Sequence, residues 1–304
     1  MKLKISYEKS KHWRHIQNKK VILTIYLVLR ILVVATMVAQ FFNGNYENVM
    51  LCVLTLVLFM LPSVCERRLH IDLPDTLEVI VLLFIFSAEI LGEIQEFYIL
   101  IPGWDTVLHT LNGFLCAAIG FSIVNILNED KRTSMHLSPL YMAVKAFCFS
   151  MTIGVLWEFF EFSMDQFTGS DMQKDFFISA VNSVALNPNG LNEVVSLPDI
   201  QKTVVYYMDN GEQVSYVMNG GYLDVGILDT MKDLMVNCLG ALVFSAIGIV
   251  YIKNRGRGKV AQSFIPQLKT EEEIEAAKAD LEMQKLKLQL KKEEIRSARK
   301  QKKE

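Results

Sequence analysis

Three patterns predict an all-α integral membrane protein: a six-span helical bundle with a short external β-hairpin insertion and a cytoplasmic C-terminal helix. Apolar runs close to the roughly 20 residues that cross a bilayer recur through the interior of the 304-residue chain. Lysine and arginine collect at the two ends and in alternate connections, which orients the spans by the positive-inside rule. One long polar connection, 164–227, carries β-branched and aromatic runs on either side of Asn210-Gly211, the pattern of a hairpin. The net charge of −2 averages over segments that face different compartments, and nothing in the chain reads as a nucleic-acid binder. The five cysteines fall within or beside expected spans and have no C-x-x-C spacing, which argues against a disulfide framework.

Residues 1–20 carry Lys2, Lys4, Lys9, Lys11, Arg14, Lys19 and Lys20 and read as a basic cytoplasmic tail. The apolar run that follows has too long a polar lead for a signal peptide and no small-x-small cleavage site, so it is expected to remain as span 1, about 21–42. Arg30 near its middle asks for a carboxylate partner. Span 2 covers about 49–64 and returns to the inside at Glu66-Arg67-Arg68. Asp75 is expected to cap span 3, about 76–95, where Glu78, Glu89, Gly92 and Glu96 share one face. Span 4 covers about 104–127, span 5 about 139–162 and span 6 about 227–252. Arg132 marks one inner connection, and Lys253, Arg255, Arg257 and Lys259 return the chain to the cytoplasm. The membrane domain is thus 21–252, both termini are cytoplasmic, and 253–304 is a charged tail. Within that tail, 270–304 is rich in Glu, Lys, Leu and Ala and reads as a solvated helix, a candidate for binding a cytoplasmic partner.

This topology brings polar groups to one side of the membrane. Asp105 and His109 begin span 4, Glu158 and Glu161 end span 5, Asp229 and Asp233 begin span 6, and Glu89 lies near the end of span 3. Asp229, Asp233 and Asn237 recur every four residues and run on into Gly240 and Ala241. Span 4 has the same form through Asn112, Gly113 and Cys116, and span 5 repeats it in reverse from Gly154. Small residues let backbones approach, so these faces are expected to pack on one another. Any one of the carboxylates would suit an interfacial position. Taken together they read as a site, because His109, Asp233 and Asn237 lie one or two turns inside their helices. Asp105, His109, Glu158, Glu161, Asp229 and Asp233 form the candidate catalytic cluster, with Asn112, Asn237 and Glu89 as candidate ligand-binding residues.

Carboxylates with an imidazole can hold a divalent metal, act as general acid and base, or carry protons or cations. No H-E-x-x-H, nucleophile elbow or phosphate loop is present, so the identity of any metal and the question of catalysis both stay open.

Trp104-Asp105-x-x-x-His109-x-x-x-Gly113-Phe114, Trp157-Glu158-Phe159-Phe160-Glu161-Phe162 and Asp229-Thr230-x-x-Asp233 followed by Gly240-Ala241 together resemble the YjdF-type inner-membrane proteins of bacteria, an uncharacterised multispan family. The resemblance covers about 50–252 and implies a bacterial plasma-membrane protein in which Asp105, His109, Glu158, Glu161, Asp229 and Asp233 belong together. It also implies a histidine one turn before the glycine of span 3, where this chain has Glu89, and a shorter external loop. The D-x-x-x-H and D-x-x-x-N-x-x-G patterns are more distantly similar to those of VanZ-like membrane proteins.

The expected function is a multi-pass membrane protein whose outer-leaflet Asp/His/Glu cluster binds a polar ligand or a divalent metal, with chemistry on lipid or envelope precursors as the leading use. The partners are the bilayer itself and a lipid-linked or small polar ligand. The alternative is a non-catalytic transporter or membrane-assembly factor whose cluster is structural.

Overall fold

The computed structural model describes residues 2–69, 71–129 and 137–269, together with isolated helical positions from Ile274 to Leu290. The C-terminal helix expected over 270–304 otherwise lies outside the described residues. Helix α1 (Lys2–Phe42) is unbroken, so the basic tail and the first apolar run share one helix. Gly44, at φ 75°, turns the chain, and the Asn45 side chain caps α2 (Tyr46–Leu58) by accepting from the Asn48 amide. Pro62 falls in the first turn of α3 (Leu61–Leu69), where its missing N–H is harmless, yet it prevents α2 from continuing.

After β1 (Ile71–Asp72), Pro74 stands at the cap of α4 (Asp75–Phe86), and Asp75, expected at the cap, is its first helical residue. The expected third span is not one uninterrupted α-helix. The 12 residues of α4 pass into an eight-residue π-helical stretch, Ser87–Ile94, ended by Glu96 at φ 58°. Gly92 lies there against the Tyr98 ring, only 2.3 Å from where a Cβ would stand. Short α5 (Phe97–Leu100) leads to α6 (Trp104–Glu129) and α7 (Pro139–Thr168).

A run of short strands follows: β2 (Phe177–Ile178), β3 (Val181–Ser183), β4 (Val195–Leu197), β5 (Lys202–Asp209), β6 (Glu212–Asn219) and β7 (Tyr222–Leu223). They pair antiparallel as β2 with β7, β3 with β4 and β5 with β6. The expected hairpin is β5–β6, in register from Lys202↔Asn219 to Asp209↔Glu212. It is closed by Asn210 and Gly211, both at positive φ, as a two-residue hairpin turn requires. Helix α8 (Ile227–Lys253), α9 (Lys259–Gln262) and β8 (Gln267–Leu268), which pairs with β1, complete the described chain.

Five helical stretches among the described residues are long and apolar enough to cross a bilayer: Lys20–Phe42, Tyr46–Glu66, Trp104–Asn128, Pro139–Thr168 and Ile227–Lys253. Their outward faces are apolar. On α1 alone Val21, Leu23, Leu27, Val28, Ile31, Leu32 and Val38 are exposed, a continuous surface that suits hydrocarbon rather than water.

The chain divides into two compact units. The first takes the chain up to Leu100, Phe121–Ser138 and the segment from Val250 onward. Its core joins Leu29 and Val33 of α1, Cys52 of α2, Phe59, Leu82 and Ile85 of α4, and Ile90 and Ile94 of the π-helical stretch. In place of the carboxylate that the sequence asks for, the Arg30 guanidinium lies 4.3 Å from the centroid of the Tyr26 ring. A cavity of about 530 Å³ in this unit is lined by Ile22, Tyr26, Glu66, Asp72, Asp75 and Glu78, and none of the expected site residues belongs to it.

The second unit is Ile101–Gly120 with Pro139–Ile249. Its helices meet where side chains are absent. A Cβ on Gly113 would stand 2.0 Å from the Asn237 carbonyl oxygen, and one on Gly240 would stand 2.0 Å from that of Thr110. Ser150 Oγ donates to the Gly113 carbonyl at 2.8 Å, and the Phe114 and Phe244 rings meet edge to face at 5.1 Å. These contacts bind α6, α7 and α8 into one bundle, with backbone close to backbone.

Candidate functional site

The site lies where α7 ends and where α6 and α8 begin. Gly103 at φ 81° and Gly226 at φ 80° turn the chain into α6 and α8, so Asp105 and Asp229 both fall in a first turn, where the helix dipole favours a carboxylate. One turn further in come His109 and Asp233, and α7 contributes Glu158 and Glu161. Glu158, Glu161, Asp229, Asp233, His109 and Asn237 are all buried, Asp233 to 1% and Glu158 to 4% exposure.

The six candidate cluster residues come together. His109 Nε2 is 3.3 Å from Asp105 Oδ1 and 4.0 Å from Asp233 Oδ2, while its Nδ1 faces Glu158 Oε1 at 3.8 Å. Asp105, His109 and Asp233 each bring one ligand atom within 4.8 Å of the others. Trp157 Nε1 donates to Glu161 Oε1 at 2.8 Å and fixes that carboxyl. The Lys174 amide donates to Asp229 Oδ2 at 2.9 Å. Both oxygens of Glu158 and Oδ1 of Asp233 are buried without a hydrogen-bond partner.

Asn112 and Asn237 lie just beneath. Asn112 Nδ2 donates to Asn237 Oδ1 at 3.1 Å, Cys116 Sγ donates to Asn112 Oδ1, and Asn237 Nδ2 reaches Met151 Sδ. Glu89, the remaining candidate, sits half-buried on the π-helical stretch of the first unit with Glu93 as its charged neighbour, and the group assembled in the second unit is built without it.

Two contributors were not singled out from the sequence. Lys232 places its ammonium 3.9 Å from Asp105 Oδ2, 3.8 Å from Asp229 Oδ1 and 4.0 Å from Asp233 Oδ1. It is a cation within the first two turns of α8, and its position next to Asp233 and one turn from Asp229 was a usable signal. The other contributor is a strap, residues 170–176, that ties the end of α7 to the start of α8. Asp165 accepts from the amides of Met172 and Gln173, Gln173 Nε2 bonds to Thr230 Oγ1, and Asp224 Oδ1 accepts from the Phe176 amide. No motif announces it, since its bonds to Asp224, Asp229 and Thr230 join residues about fifty positions apart.

Fold and site together define a multi-pass helical membrane protein with a buried group of acids around one imidazole. The chain belongs to the family described as "Predicted membrane protein (DUF2238)", whose model matches residues 25–184, and the resemblance to YjdF-type proteins is borne out by that membership. The matched region carries Asp105, His109, Glu158 and Glu161, whereas α8 lies beyond it. A curated protein of Thermotoga maritima, described as an uncharacterized protein, is 28% identical over 105 residues, which is 34% of this chain and 52% of that protein. The chain therefore matches about half the length of this relative. No solved structure matches the chain.

Proposed function

We propose that the chain is a six-span protein of the bacterial plasma membrane, with both termini cytoplasmic, that binds a polar ligand at an outer-leaflet site and carries out chemistry on a lipid or envelope precursor. The short α4 and the π-helical stretch act together as the third span in this reading. Asp105, His109, Glu158, Glu161, Asp229 and Asp233 form the working group, and Asn112 and Asn237 form its floor.

The observation that carries this reading over transport is the form of the site, accessible at its mouth and tightly packed below. Lys232 is 40% and Asp105 23% exposed at the helix ends. About two turns further in, Gly113 and Gly240 bring backbones into contact, with Asn112 and Asn237 bonded to each other above them. A solute could approach the acids from the helix ends but would find no passage between these helices. The mouth also lies where headgroups are, in reach of a lipid-borne ligand.

The test compares cells lacking the protein with cells expressing wild type or Asp233→Asn at equal membrane levels, by mass spectrometry of lipids and cell-wall precursors. The same precursor should accumulate in the deletion and in Asp233→Asn, and wild type should clear it. Unchanged lipids and precursors, together with a solute flux in proteoliposomes that Asp233→Asn abolishes, would overturn this reading in favour of the transporter.

A further inference from the structure

We propose that Asp105, His109 and Asp233 hold one divalent transition-metal ion of the zinc, manganese or iron(II) kind, with Glu158 behind the histidine; this rests on the ligand-site reading above and names what the site binds first. The three side chains each offer one ligand atom, and these atoms lie within 4.8 Å of one another. Ligands about 2.0–2.2 Å from a tetrahedral ion stand about 3.4 Å apart. His109 Nε2 and Asp105 Oδ1 already do so at 3.3 Å, and Nε2 to Asp233 Oδ2 at 4.0 Å needs only a small closure.

A second, independent observation points to a ligand. Glu158 is 4% exposed, yet neither of its oxygens has a hydrogen-bond partner. An ion on His109 Nε2 accounts for the glutamate. With Nε2 committed to metal, the ring carries its proton on Nδ1, which faces Glu158 Oε1 at 3.8 Å. Closing that gap to hydrogen-bonding distance would complete the carboxylate–histidine–metal relay that orients a ligand ring and raises its basicity.

Lys232 complements rather than replaces the ion. Its ammonium approaches Asp105 Oδ2 and Asp233 Oδ1, whereas the imidazole approaches Asp105 Oδ1 and Asp233 Oδ2. Each aspartate thus turns one oxygen to the lysine and one toward the proposed ion. Five carboxyl groups converge here on one ammonium and one imidazole, and a divalent ion held by two of the aspartates would balance their charge where they ionise. Imidazole with two carboxylates selects borderline transition metals over calcium or magnesium. Three protein ligands leave a position open at the mouth for an oxygen donor, as in metal sites that act on a substrate.

The experiment uses the full chain purified in detergent, stripped with chelator and titrated with Zn²⁺, Mn²⁺ or Co²⁺. Bound metal is measured by elemental analysis, and the visible absorption of Co²⁺ reports its coordination. Wild type should bind about one equivalent, and His109→Gln and Asp233→Asn less than a tenth of that. Glu158→Gln, which leaves all three ligands in place, should bind about 10- to 100-fold more weakly. Circular dichroism and gel filtration of the metal-free proteins separate lost binding from lost folding. Wild type that binds none of the three ions, or His109→Gln and Glu158→Gln that both bind as wild type does, would overturn the ion. A metal-free wild type whose Asp233→Asn variant still accumulates the precursor would sink the metal and spare the ligand site. One equivalent of metal with no change in precursors would support the ion and sink the proposed chemistry.

Discussion

Gly113 and Gly240 are where single residues decide the geometry of the site, because each replaces a side chain with a neighbour's backbone carbonyl. Gly113→Ala would drive a methyl into the Asn237 main chain, and Asn237 cannot retreat without losing its bond to Asn112. Overpacking of this kind costs about 1–3 kcal/mol. Thermal unfolding in detergent should therefore show a clearly lower midpoint for Gly113→Ala, while Gly211→Ala, at an open turn, should leave the bundle unchanged. A midpoint equal to wild type in Gly113→Ala would mean that α6 and α8 can part without penalty. The polar residues of this face were legible in the sequence because a four-residue spacing on a helix leaves no freedom about which side they share. Lys232 was less so: a lysine near a helix end snorkels to water as readily as it joins a buried group, and only the three facing carboxylates decide between these.

Among the elements, the strap at 170–176 is expected to hold more or less firmly with pH through Asp175. Loss of solvent around its carboxyl, then the neighbouring Asp171, Asp224 and Asp165 carboxylates, raise the pKa of Asp175, against a backbone bond from Gly226 that lowers it. An acid with a raised folded pKa favours the fold while protonated and loses that contribution as pH rises through the folded value. The strap should therefore be tighter in mild acid than at neutral pH. Proteolysis between Thr168 and Phe177, with an enzyme active across the range, should slow as pH falls toward the carboxyl range in wild type. Asp175→Asn should show the slow rate throughout. Identical pH profiles for the two proteins would remove Asp175 from the account. The hairpin was readable because Asn-Gly between β-favouring runs specifies its own register. The π-helical stretch was not, because its i→i+5 bonding has no residue signature of its own, and the close approach of the Tyr98 ring to Gly92 joins it to the short helix that follows.

At the scale of the whole molecule, the apolar periodicity that marked the spans reflects a bilayer's thickness, which is why five of the expected segments recur as long apolar helices. The expected third span is not among them, because its acids and the π-helical stretch interrupt the apolar run. The proposed topology can be checked with reporter fusions. Fusions after Asn45, Pro102 and Asn210 should report the outside, and those after Arg67, Arg132 and Glu304 the inside. A cytoplasmic report from Pro102 or Asn210 would place the acid group on the other face and remove lipid and envelope precursors from its reach.

The end of the β5–β6 hairpin offers a practical opening. Gly211 has no other atom within 4 Å of where a Cβ would stand, and the strands on either side pair over eight positions each. Extra residues spliced between Asn210 and Gly211 would lengthen only a loop tip, at a cost that grows slowly with length. An epitope or a small fluorescent domain could ride there on an otherwise intact chain, giving a handle for imaging and purification on a segment that carries none of the acids of the site.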